Sequence, residues 1–463
     1  MNKYIINTAQ SGVPRPVMPN HGVGQPPFRG LDFSMCSYLK EAGIPFSRLH
    51  DVGGPFGGNM FADIPNIFRD FDRDPADPAN YDFGFTDRLV TAIIDNGTEP
   101  FFRLGVTIEN YCAVRPYRIF PPKDNLKWAK ICEGIIKHYT EGWADGFHYN
   151  IRYWEIWNEP DNARTFPENQ MWTGTKEEFY GLYNVAAAYL KKQFPELKIG
   201  GYGSCGFYAL FQEVPESAKA TTRFEYFIEF FDGFLESVKA SGAPLDFFSW
   251  HSYDAIERNA AYANYAKDRL AEAGFPGIEI FCNEWNVDIY ARGTLKHAAE
   301  IMAMMLKFTG LPLDGAMFYD ARFGTSIYGS LFNPLTAEPF PAYYAFVLYN
   351  ELYKRGSLLD ITLTEADGIF GVSGASGSSD ASGSSDISGA SGLYAAGAAG
   401  DEGCCIIISN IGSEPAEIEL AGLPEAKKVL EITENGLSEV PCGNYNPPRL
   451  TLGGERVAAV FCE

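Results

Sequence analysis

The sequence has little basic character and no metal-binding motif, and we expect no Gly-x-Gly-x-x-Gly or P-loop motif after any strand. Lysine and arginine number 37 against 59 acidic residues, which gives a formal net charge of -22. Because nucleic acids and anionic membranes both attract basic surfaces, neither is expected as a partner. The six histidines show no His-x-His or His-Glu-x-x-His spacing, and no P-loop sequence is present. We therefore expect neither a metal nor another cofactor.

Cysteine spacing and apolar runs exclude further classes of protein. The nine cysteines form no Cys-x-x-Cys pair, so neither a disulfide framework nor a zinc site is indicated. No run of about 18 apolar residues predicts a transmembrane helix. Residues 1–11 lack the basic and apolar regions of a signal peptide. The simplest interpretation is a reduced, cytoplasmic protein whose oligomeric state is open, a homo-oligomer included.

The sequence does contain an alternation of helices with short apolar strands. A chain of 463 residues, 46% of them apolar, exceeds one ordinary core and predicts a large domain plus a smaller one. The predicted strands of the large domain are Ile44–His50, Asn66–Phe71, Glu99–Gly105, Arg152–Asn158, Leu197–Tyr202, Leu245–His251, Gly277–Glu284 and Asp314–Asp320. Eight strands separated by helices fit a (β/α)8 TIM barrel better than an open doubly wound sheet. The predicted fold class is therefore α/β, with the barrel at residues 30–357.

The remaining chain has a different character. In residues 358–463, short strands bounded by glycine, such as Gly368–Val372 and Arg456–Cys462, predict an accessory antiparallel β-sandwich. The Ser/Gly-rich tract 373–392 has too little apolar surface to offset its ordering entropy, so we expect it to be flexible. At the amino terminus, Lys3–Thr8 predicts one more strand, followed by proline-rich turns that do not begin the barrel.

Two predicted strands end in asparagine followed by glutamate. These are Asn158 and Glu159 on the fourth strand, and Asn283 and Glu284 on the seventh. Pro160 is expected to hold Glu159 extended at the strand tip, and the tips of barrel strands share one mouth. Cleavage of a glycosidic bond requires two such carboxylates, about 5 Å apart for retention and about 6.5 Å or more for inversion. The alternative is a buried glutamate paired with a structural arginine.

The surroundings of the two glutamates suggest different roles. A hydroxyl donated by Tyr253, on the intervening tip, would keep Glu284 ionised as a nucleophile. Tyr253 could equally be a rim aromatic with a solvated hydroxyl. An apolar setting beside Trp157 would keep Glu159 protonated, as a general acid must be.

Three motifs together carry a family resemblance. They are Trp154–Pro160, His251–Tyr253 and Asn283–Asn286, in this order along residues 46–320. The set resembles glycoside hydrolase family 39, the family of β-xylosidases and α-L-iduronidases. The resemblance implies a retaining mechanism with Glu159 as acid/base and Glu284 as nucleophile. It also implies a β-sandwich built from both chain termini, so residues 1–29 are expected to join residues 358–463.

The resemblance also implies a substrate-binding set. Asn158 would hydrogen-bond the sugar 2-hydroxyl, Tyr253 would contact the nucleophile, and His50 and His251 would line the subsite for the non-reducing sugar. For both histidines the alternative is a structural role with a backbone hydrogen bond. The full candidate set is Asn158, His50, His251, Tyr253, Trp285, Tyr319 and Arg322.

The segment after the eighth strand leaves the sugar open. Family β-xylosidases tend to carry a tryptophan and an acidic pair there, whereas this chain has Phe318–Phe323. Arg322 could bind the carboxylate of a uronic acid, or simply pair with Asp320.

The leading hypothesis is a retaining, exo-acting β-xylosidase-like enzyme for short oligosaccharides. An endo-acting enzyme is the nearest alternative, because the insertions Gly53–Pro78 and Cys112–Asp124 could close a pocket or line an open groove. A family member specific for a uronide or another sugar is a second alternative. A carbohydrate-binding barrel without catalysis is the third, since a fold alone does not determine function.

Overall fold

Helices and strands alternate through most of the chain in this computed structural model. It describes residues 2–10, 12–52, 62–108, 118–165, 167–211, 223–324, 328–329, 331–365, 392–441 and 448–462. The helices are α1 (Ser37–Glu41), α2 (Ile64–Ile67), α3 (Gly84–Asp95), α4 (Asn125–Thr140), α5 (Lys176–Gln193), α6 (Arg223–Ser241), α7 (Asn259–Ala273), α8 (Leu295–Thr309) and α9 (Pro341–Arg355). No helix in these ranges is long and apolar enough to cross a membrane.

The strands form a closed barrel and a separate sheet. The strands before and within the barrel are β1 (Asn2–Gln10), β2 (Gly22–Gly24), β3 (Phe46–Arg48), β4 (Glu99–Leu104), β5 (Tyr153–Ile156), β6 (Lys198–Ser204), β7 (Phe247–Ser252), β8 (Glu279–Trp285) and β9 (Gly315–Phe318). Strands β2 to β9 pair in parallel in chain order, and β9 returns to β2. The predicted α/β class and (β/α)8 barrel are confirmed.

The first barrel strand lies earlier than predicted. It is β2, inside the proline-rich segment that was expected not to begin the barrel, so Ile44–His50 contains the second strand, β3. A Cβ atom on Gly22 would lie 2.9 Å from Cγ of Met317, so this position requires glycine. A three-residue strand with two glycines has no periodicity to detect. The barrel therefore begins before residue 30, while the predicted boundary at residues 357 and 358 stays a prediction.

The predicted second strand, Asn66–Phe71, is also wrong. Its first residues belong to the short helix α2, which has a proline in its first turn, and the buried residues Ile64, Ile67 and Phe68 have helical spacing. Because one strand was missed and another was predicted in error, the later strands keep their predicted numbers. Glu159 still follows the fourth barrel strand, and Glu284 lies at the end of the seventh.

The second sheet joins the two ends of the chain. Its further strands are β10 (Ser357–Glu365), β11 (Leu393–Gly400), β12 (Gly403–Asn410), β13 (Ala416–Ala421), β14 (Ala426–Thr433), β15 (Gly436–Val440), β16 (Arg449–Leu452) and β17 (Arg456–Cys462). Strand β1 lies between β10 and β13, so the amino-terminal strand does join this sheet. The sheet is mixed rather than wholly antiparallel, because β1 and β13 run parallel.

The sheet curls around a core of its own. One buried cluster contains side chains from β10 and from strands on both sides of it, namely Ile6, Ile361, Ile406, Ile418 and Val460. The predicted strand Gly368–Val372 and all but the last residue of the tract 373–392 lie outside the described residues.

Candidate active site

Two layers of side chains fill the barrel below its mouth. The lower layer is apolar and consists of Phe46, Phe101, Tyr153, Phe247, Phe281 and Met317. Two residues further along the strands, buried polar side chains follow, namely Arg48, Arg103, Glu155, Ser249 and Asn283. Because side chains alternate across a strand, the second layer also faces the barrel axis. The barrel therefore changes from an aromatic base to a charged floor directly beneath its mouth.

Arg48 is the hub of the charged floor. Its guanidinium group donates to Glu155 Oε2 at 2.8 Å, to Glu284 Oε2 at 3.0 Å and to Asn158 Oδ1 at 2.5 Å. Glu155 Oε1 in turn accepts from Ser249 Oγ at 2.6 Å. Burial opposes the charge of Arg48, but the two glutamates outweigh it and raise the pKa of Arg48. Arg48 was not predicted as a site residue, although a charged residue inside an apolar strand indicates a buried partner.

The two predicted catalytic glutamates meet at the barrel mouth with His251 between them. Nδ1 of His251 lies 2.8 Å from Glu159 Oε1, and its Nε2 lies 3.7 Å from Glu284 Oε2. One oxygen of each carboxylate and a ring nitrogen of His251 all lie within 4.8 Å of one another. This separation is close to the about 5 Å typical of retaining glycosidases and well below that of inverting ones.

Each glutamate has a further partner. The hydroxyl of Tyr253 donates to Glu284 Oε1 at 2.5 Å. The amide of Asn162 donates to Glu159 Oε2 at 2.9 Å. The backbone N–H of Glu159 donates to the carbonyl of Gly203 at 2.9 Å, and its φ is 44°. The expectation of an extended Glu159 is therefore wrong, because this hydrogen bond holds the residue in a left-handed conformation, which is uncommon for residues other than glycine.

His251 sets the protonation of the pair. Burial opposes protonation of His251, but Glu284 and Glu159 outweigh burial and raise its pKa. Burial raises the pKa of Glu159, yet the hydrogen bond and charge of His251 outweigh it, and the pKa is lowered. The pKa of Glu284 is raised by burial, which is opposed by the charges of His251 and Arg48 and by the Tyr253 hydroxyl. In the unliganded site, His251 thus holds the proton that general-acid catalysis needs on Glu159.

Trp157 does not contribute to the protonation of Glu159. It was expected to create an apolar setting for Glu159, but it is buried and packs against Trp128 and Trp172 with ring centroids at 6.2 and 5.2 Å. Its indole N–H donates to the carbonyl of Met171. Trp157 follows the end of β5 and has a φ of 75°, so the alternation of the extended strand does not apply to its side chain.

Most of the candidate substrate-binding residues line one cavity of about 590 Å³ over the two glutamates. These are Asn158, His50, Tyr253, Tyr319 and Arg322. His251 lies at its floor between the two carboxylates.

The contacts of His50, Tyr319 and Arg322 fix one end of this cavity. Burial, aided by the charges of Arg103 and Arg48, lowers the pKa of His50 well below its usual value, so the ring is neutral. The Tyr319 hydroxyl donates to Asp51 Oδ2 at 2.8 Å. Arg322 Nη2 lies 3.0 Å from Asp320 Oδ2. This is the ion pair that was predicted as the alternative to binding a substrate carboxylate.

Trp285 does not line the cavity. Its side chain is fully buried and packs against Phe308 of α8 and Phe318 of β9, with ring centroids at 5.5 and 5.1 Å. An irregularity of β8 between Cys282 and Trp285 interrupts the alternation of its side chains, so that Glu284 faces the barrel mouth while Trp285 faces the surrounding helices. The prediction that Trp285 contacts substrate is therefore wrong.

Several other residues of the cavity wall were not predicted as site residues. They are Asp51, Ile108, Asn162, Cys205, Tyr208, Arg223, Phe224, Phe227 and Tyr328. Asn162 and Asp51 directly follow predicted strand tips, and that position was a usable signal. Arg223, Phe224 and Phe227 begin helix α6, where no sequence pattern indicates a site.

The expectation that no Gly-x-Gly-x-x-Gly motif follows a strand is wrong, because the tip of β6 carries this spacing at Gly201, Gly203 and Gly206. This spacing is typical of dinucleotide-binding loops when a helix follows directly. Here the residues after it form a short 3-10 turn, Tyr208–Leu210. A Cβ atom on Gly203 would lie 3.0 Å from Arg48 Nη2. The glycines therefore allow the backbone to approach the charged floor.

The cluster of Glu159, His251 and Glu284 has the spacing of metal ligands. The guanidinium of Arg48, however, lies 3.0 Å from Glu284 Oε2. A cation bound there would be repelled by this fixed positive charge. The donor set therefore fits a metal poorly, and the absence of cofactors stays a prediction.

Asp161, two residues after Glu159, provides a test of the local electrostatics. It is buried and accepts hydrogen bonds from Ser204 Oγ at 2.8 Å and from the backbone of Cys205. Burial, followed by the charge of Glu159, raises the pKa of Asp161 from 3.8 to about 7. Between these values the folded state binds more protons than the unfolded state, so the free energy of unfolding should fall as pH rises.

Replacing Asp161 with asparagine should remove this dependence. We expect the parent to lose up to about 1.4 kcal/mol per pH unit relative to D161N between about pH 4 and about pH 7. Urea unfolding at several pH values measures the difference. D268N, at an exposed aspartate of α7, serves as the control and should follow the parent. Parallel pH profiles for D161N and the parent would contradict the assignment.

Comparison with known proteins gives the same family as the sequence motifs. A family model described as glycosyl hydrolases family 39 matches residues 56–274. A β-xylosidase of Caldicellulosiruptor saccharolyticus is 26% identical over 267 residues, which cover 53% of this chain and 46% of the relative. A β-xylosidase of Geobacillus stearothermophilus is 26% identical over 206 residues, which cover 42% and 35%. The matches thus span less than half the length of these relatives.

Solved structures with the same fold cover nearly the whole chain. A glucosidase from Croceicoccus marinus has 20% identity and a TM-score of 0.70, covering 99% of this chain and 98% of its own. A family 39 β-xylosidase from Caulobacter crescentus has 17% identity and a TM-score of 0.63, covering 99% of each chain. The family model and the curated relatives confirm the resemblance to glycoside hydrolase family 39, and the solved structures share the fold.

Proposed function

We propose that this chain is a retaining, exo-acting glycosidase that cleaves xylose-type glycosides by double displacement. The observation that carries the proposal is the pair Glu159 and Glu284, whose carboxylate oxygens lie within 4.8 Å at the mouth of the barrel. A gap of this size leaves no room for a water between carboxylate and sugar, so one carboxylate attacks the sugar directly.

In the first step Glu284 is the nucleophile. A carboxylate oxygen of Glu284 forms a bond to the anomeric carbon while the bond to the leaving oxygen breaks and Glu159 gives that oxygen a proton. Arg48 and Tyr253 hold Glu284 in place. Because Arg48 is already paired with Glu155, it does not have to reorganise as charge leaves Glu284.

In the second step Glu159 acts as the base. It takes a proton from water, which attacks the anomeric carbon and releases Glu284. For both steps Glu159 must exchange a proton with its surroundings, and His251, 2.8 Å away, is the adjacent titratable group. We propose that substrate binding shifts the shared proton from His251 to Glu159.

The sugar would lie over Glu284, between Asn158 and the group formed by His50 and Tyr319. Asn158 Oδ1 is held by Arg48, which leaves its amide N–H groups for a sugar hydroxyl. Nδ1 of His50 is buried without a hydrogen-bond partner among the described residues, and the residue lines the same end of the cavity. Xylose is proposed because the two curated relatives are named β-xylosidases.

The size of the cavity bears on exo action, and the state of the cysteines bears on the location of the protein. A cavity of about 590 Å³ suits a short glycoside, which supports exo action. Products of a labelled oligosaccharide decide this point, since single sugars indicate exo and internal fragments endo action. Cys36, Cys132, Cys205, Cys282, Cys404 and Cys405 are free thiols, which supports a reduced, cytoplasmic location.

A panel of aryl glycosides tests the proposed activity. We expect the β-xyloside to be hydrolysed faster than the arabinoside, galactoside, glucoside and iduronide, and NMR of the sugar first formed from it to show the β-anomer. An α-anomer as the first product of this β-glycoside would contradict the retaining mechanism. Fastest turnover of the iduronide would instead assign Arg322 to a substrate carboxylate, and no turnover of any glycoside would contradict the glycosidase.

A further inference from the structure

One end of the active-site cavity is aromatic. It is formed by Tyr208, Phe224 and Phe227, whose ring centroids lie 5.3 to 6.4 Å apart. Phe227 is buried, while Tyr208 and Phe224 are half-buried and line the cavity. The opposite end, with His50, carries charged and hydrogen-bonding groups. The cavity is thus polar at one end and apolar at the other.

The contacts of Glu159 show on which side of the reacting bond the aromatic end lies. One side of its carboxylate faces His251 and, beyond it, Glu284. The other side is bound by Asn162, whose amide also lies 3.7 Å from Cys205 Sγ. The carbonyl of Asn162 accepts from Arg223 Nε at 2.6 Å, which ties this side to the start of α6.

The roles of the two carboxylates determine the direction in which the leaving group extends. The anomeric carbon must lie next to the nucleophile, and the oxygen that leaves must lie within reach of the acid. With Glu284 as nucleophile and Glu159 as acid, the leaving group extends past Glu159 toward Asn162. It therefore enters the aromatic end of the cavity.

Among the described residues, the aromatic end offers few hydrogen bonds to a leaving group. Phe224 and Phe227 have none to give, and the Asn162 amide donates to Glu159. The Tyr208 hydroxyl accepts from the backbone of Tyr253 at 3.0 Å and has a single O–H to donate. The guanidinium of Arg223 lies over the Phe227 ring, 5.5 Å from its centroid. A second sugar presents several hydroxyl groups that need partners, whereas a flat aromatic group needs only ring surfaces.

We propose that Tyr208 and Phe224 form a leaving-group subsite for an aromatic aglycone, so that the natural substrates are glycosides of phenolic or benzylic alcohols. This inference rests on the proposed glycosidase function. It assigns the selectivity for the leaving group to the start of α6 and the turn after β6, and the selectivity for the sugar to the opposite end of the cavity.

The test compares benzyl and methyl glycosides of one sugar, chosen as the best glycone of the aryl panel. The two leaving alcohols are of similar acidity, so a difference in kcat/KM reports binding of the phenyl ring rather than leaving-group chemistry. For the parent we expect the benzyl glycoside to be preferred at least about tenfold. In F224A the benzyl-to-methyl ratio should fall about three- to tenfold, because the phenyl ring of the benzyl group loses its contact with the Phe224 ring.

Two control variants complete the design. F224Y keeps the ring and should keep the ratio. F211A removes a phenylalanine that packs against Tyr262, outside the cavity, and should also keep the ratio. A ratio near one in the parent, or an F224A variant that loses both substrates equally, would overturn the inference. In both cases the methyl glycoside is still hydrolysed by the parent, so the proposed function survives, whereas a parent inactive on every glycoside rejects that function itself.

Discussion

E284Q is expected to hydrolyse glycosides more than about 10⁴-fold more slowly than the parent, because it removes the group that forms the covalent bond. Glutamine has the same shape, so its carbonyl oxygen can still accept from Tyr253, and the fold should be retained. Turnover of the best aryl glycoside measures the loss. Circular dichroism and thermal unfolding verify the fold, and activity equal to the parent would reject Glu284 as nucleophile.

Two additional measurements separate nucleophilic loss from a general disturbance of the site. A 2-fluoro glycoside that forms its covalent intermediate quickly and loses it slowly should label the peptide containing Glu284 in the parent and leave E284Q unlabelled. With E284G, added azide should occupy the space of the missing carboxylate and give a glycosyl azide of inverted configuration. An azide product of retained configuration would point to Glu159 as the nucleophile.

E159A should depend strongly on the leaving group. Without the acid, glycosides whose leaving alcohol is weakly acidic should be hydrolysed about 10²- to 10⁴-fold more slowly. A dinitrophenyl glycoside needs no proton on its leaving oxygen, so its first step should be little affected. The comparison of kcat/KM for these two substrates measures the role directly.

The controls for Glu159 use the second step and the pH profile. Azide should accelerate E159A by replacing water, which no longer has a base, and should give a product of retained configuration. The basic limb of the parent's kcat/KM profile should disappear in E159A, since that limb reports loss of the acid's proton. Equal losses for both leaving groups would contradict an acid/base role.

The candidate site was predictable where the chemistry lies at strand tips. Glu159 and Glu284 follow buried strands whose composition is recognisable, and parallel strands bring their tips together whichever helices connect them. The strand numbering came out right only because β2 was missed and α2 was taken for a strand.

The remaining features depend on pairings between distant parts of the chain. Arg48 contacts groups on two other strands, at Glu155 and Asn158 of β5 and its tip and at Glu284 of β8, and no local pattern encodes such partners. Trp285 was misplaced because the irregularity of β8 between Cys282 and Trp285 depends on pairing with the neighbouring strand. The left-handed backbone of Glu159 depends on a hydrogen bond to the next strand, at Gly203.

The position of β1 has a consequence for how the molecule is made. Tyr4 pairs with Glu365 on β10, and Lys3 with Glu417 on β13. Strand β1 therefore leaves the ribosome long before the two strands with which it pairs. At about 5–20 residues per second, it waits roughly 20–70 s for β10 to be synthesised. The barrel has time to fold meanwhile, and the second sheet forms around a strand that was made before the barrel began.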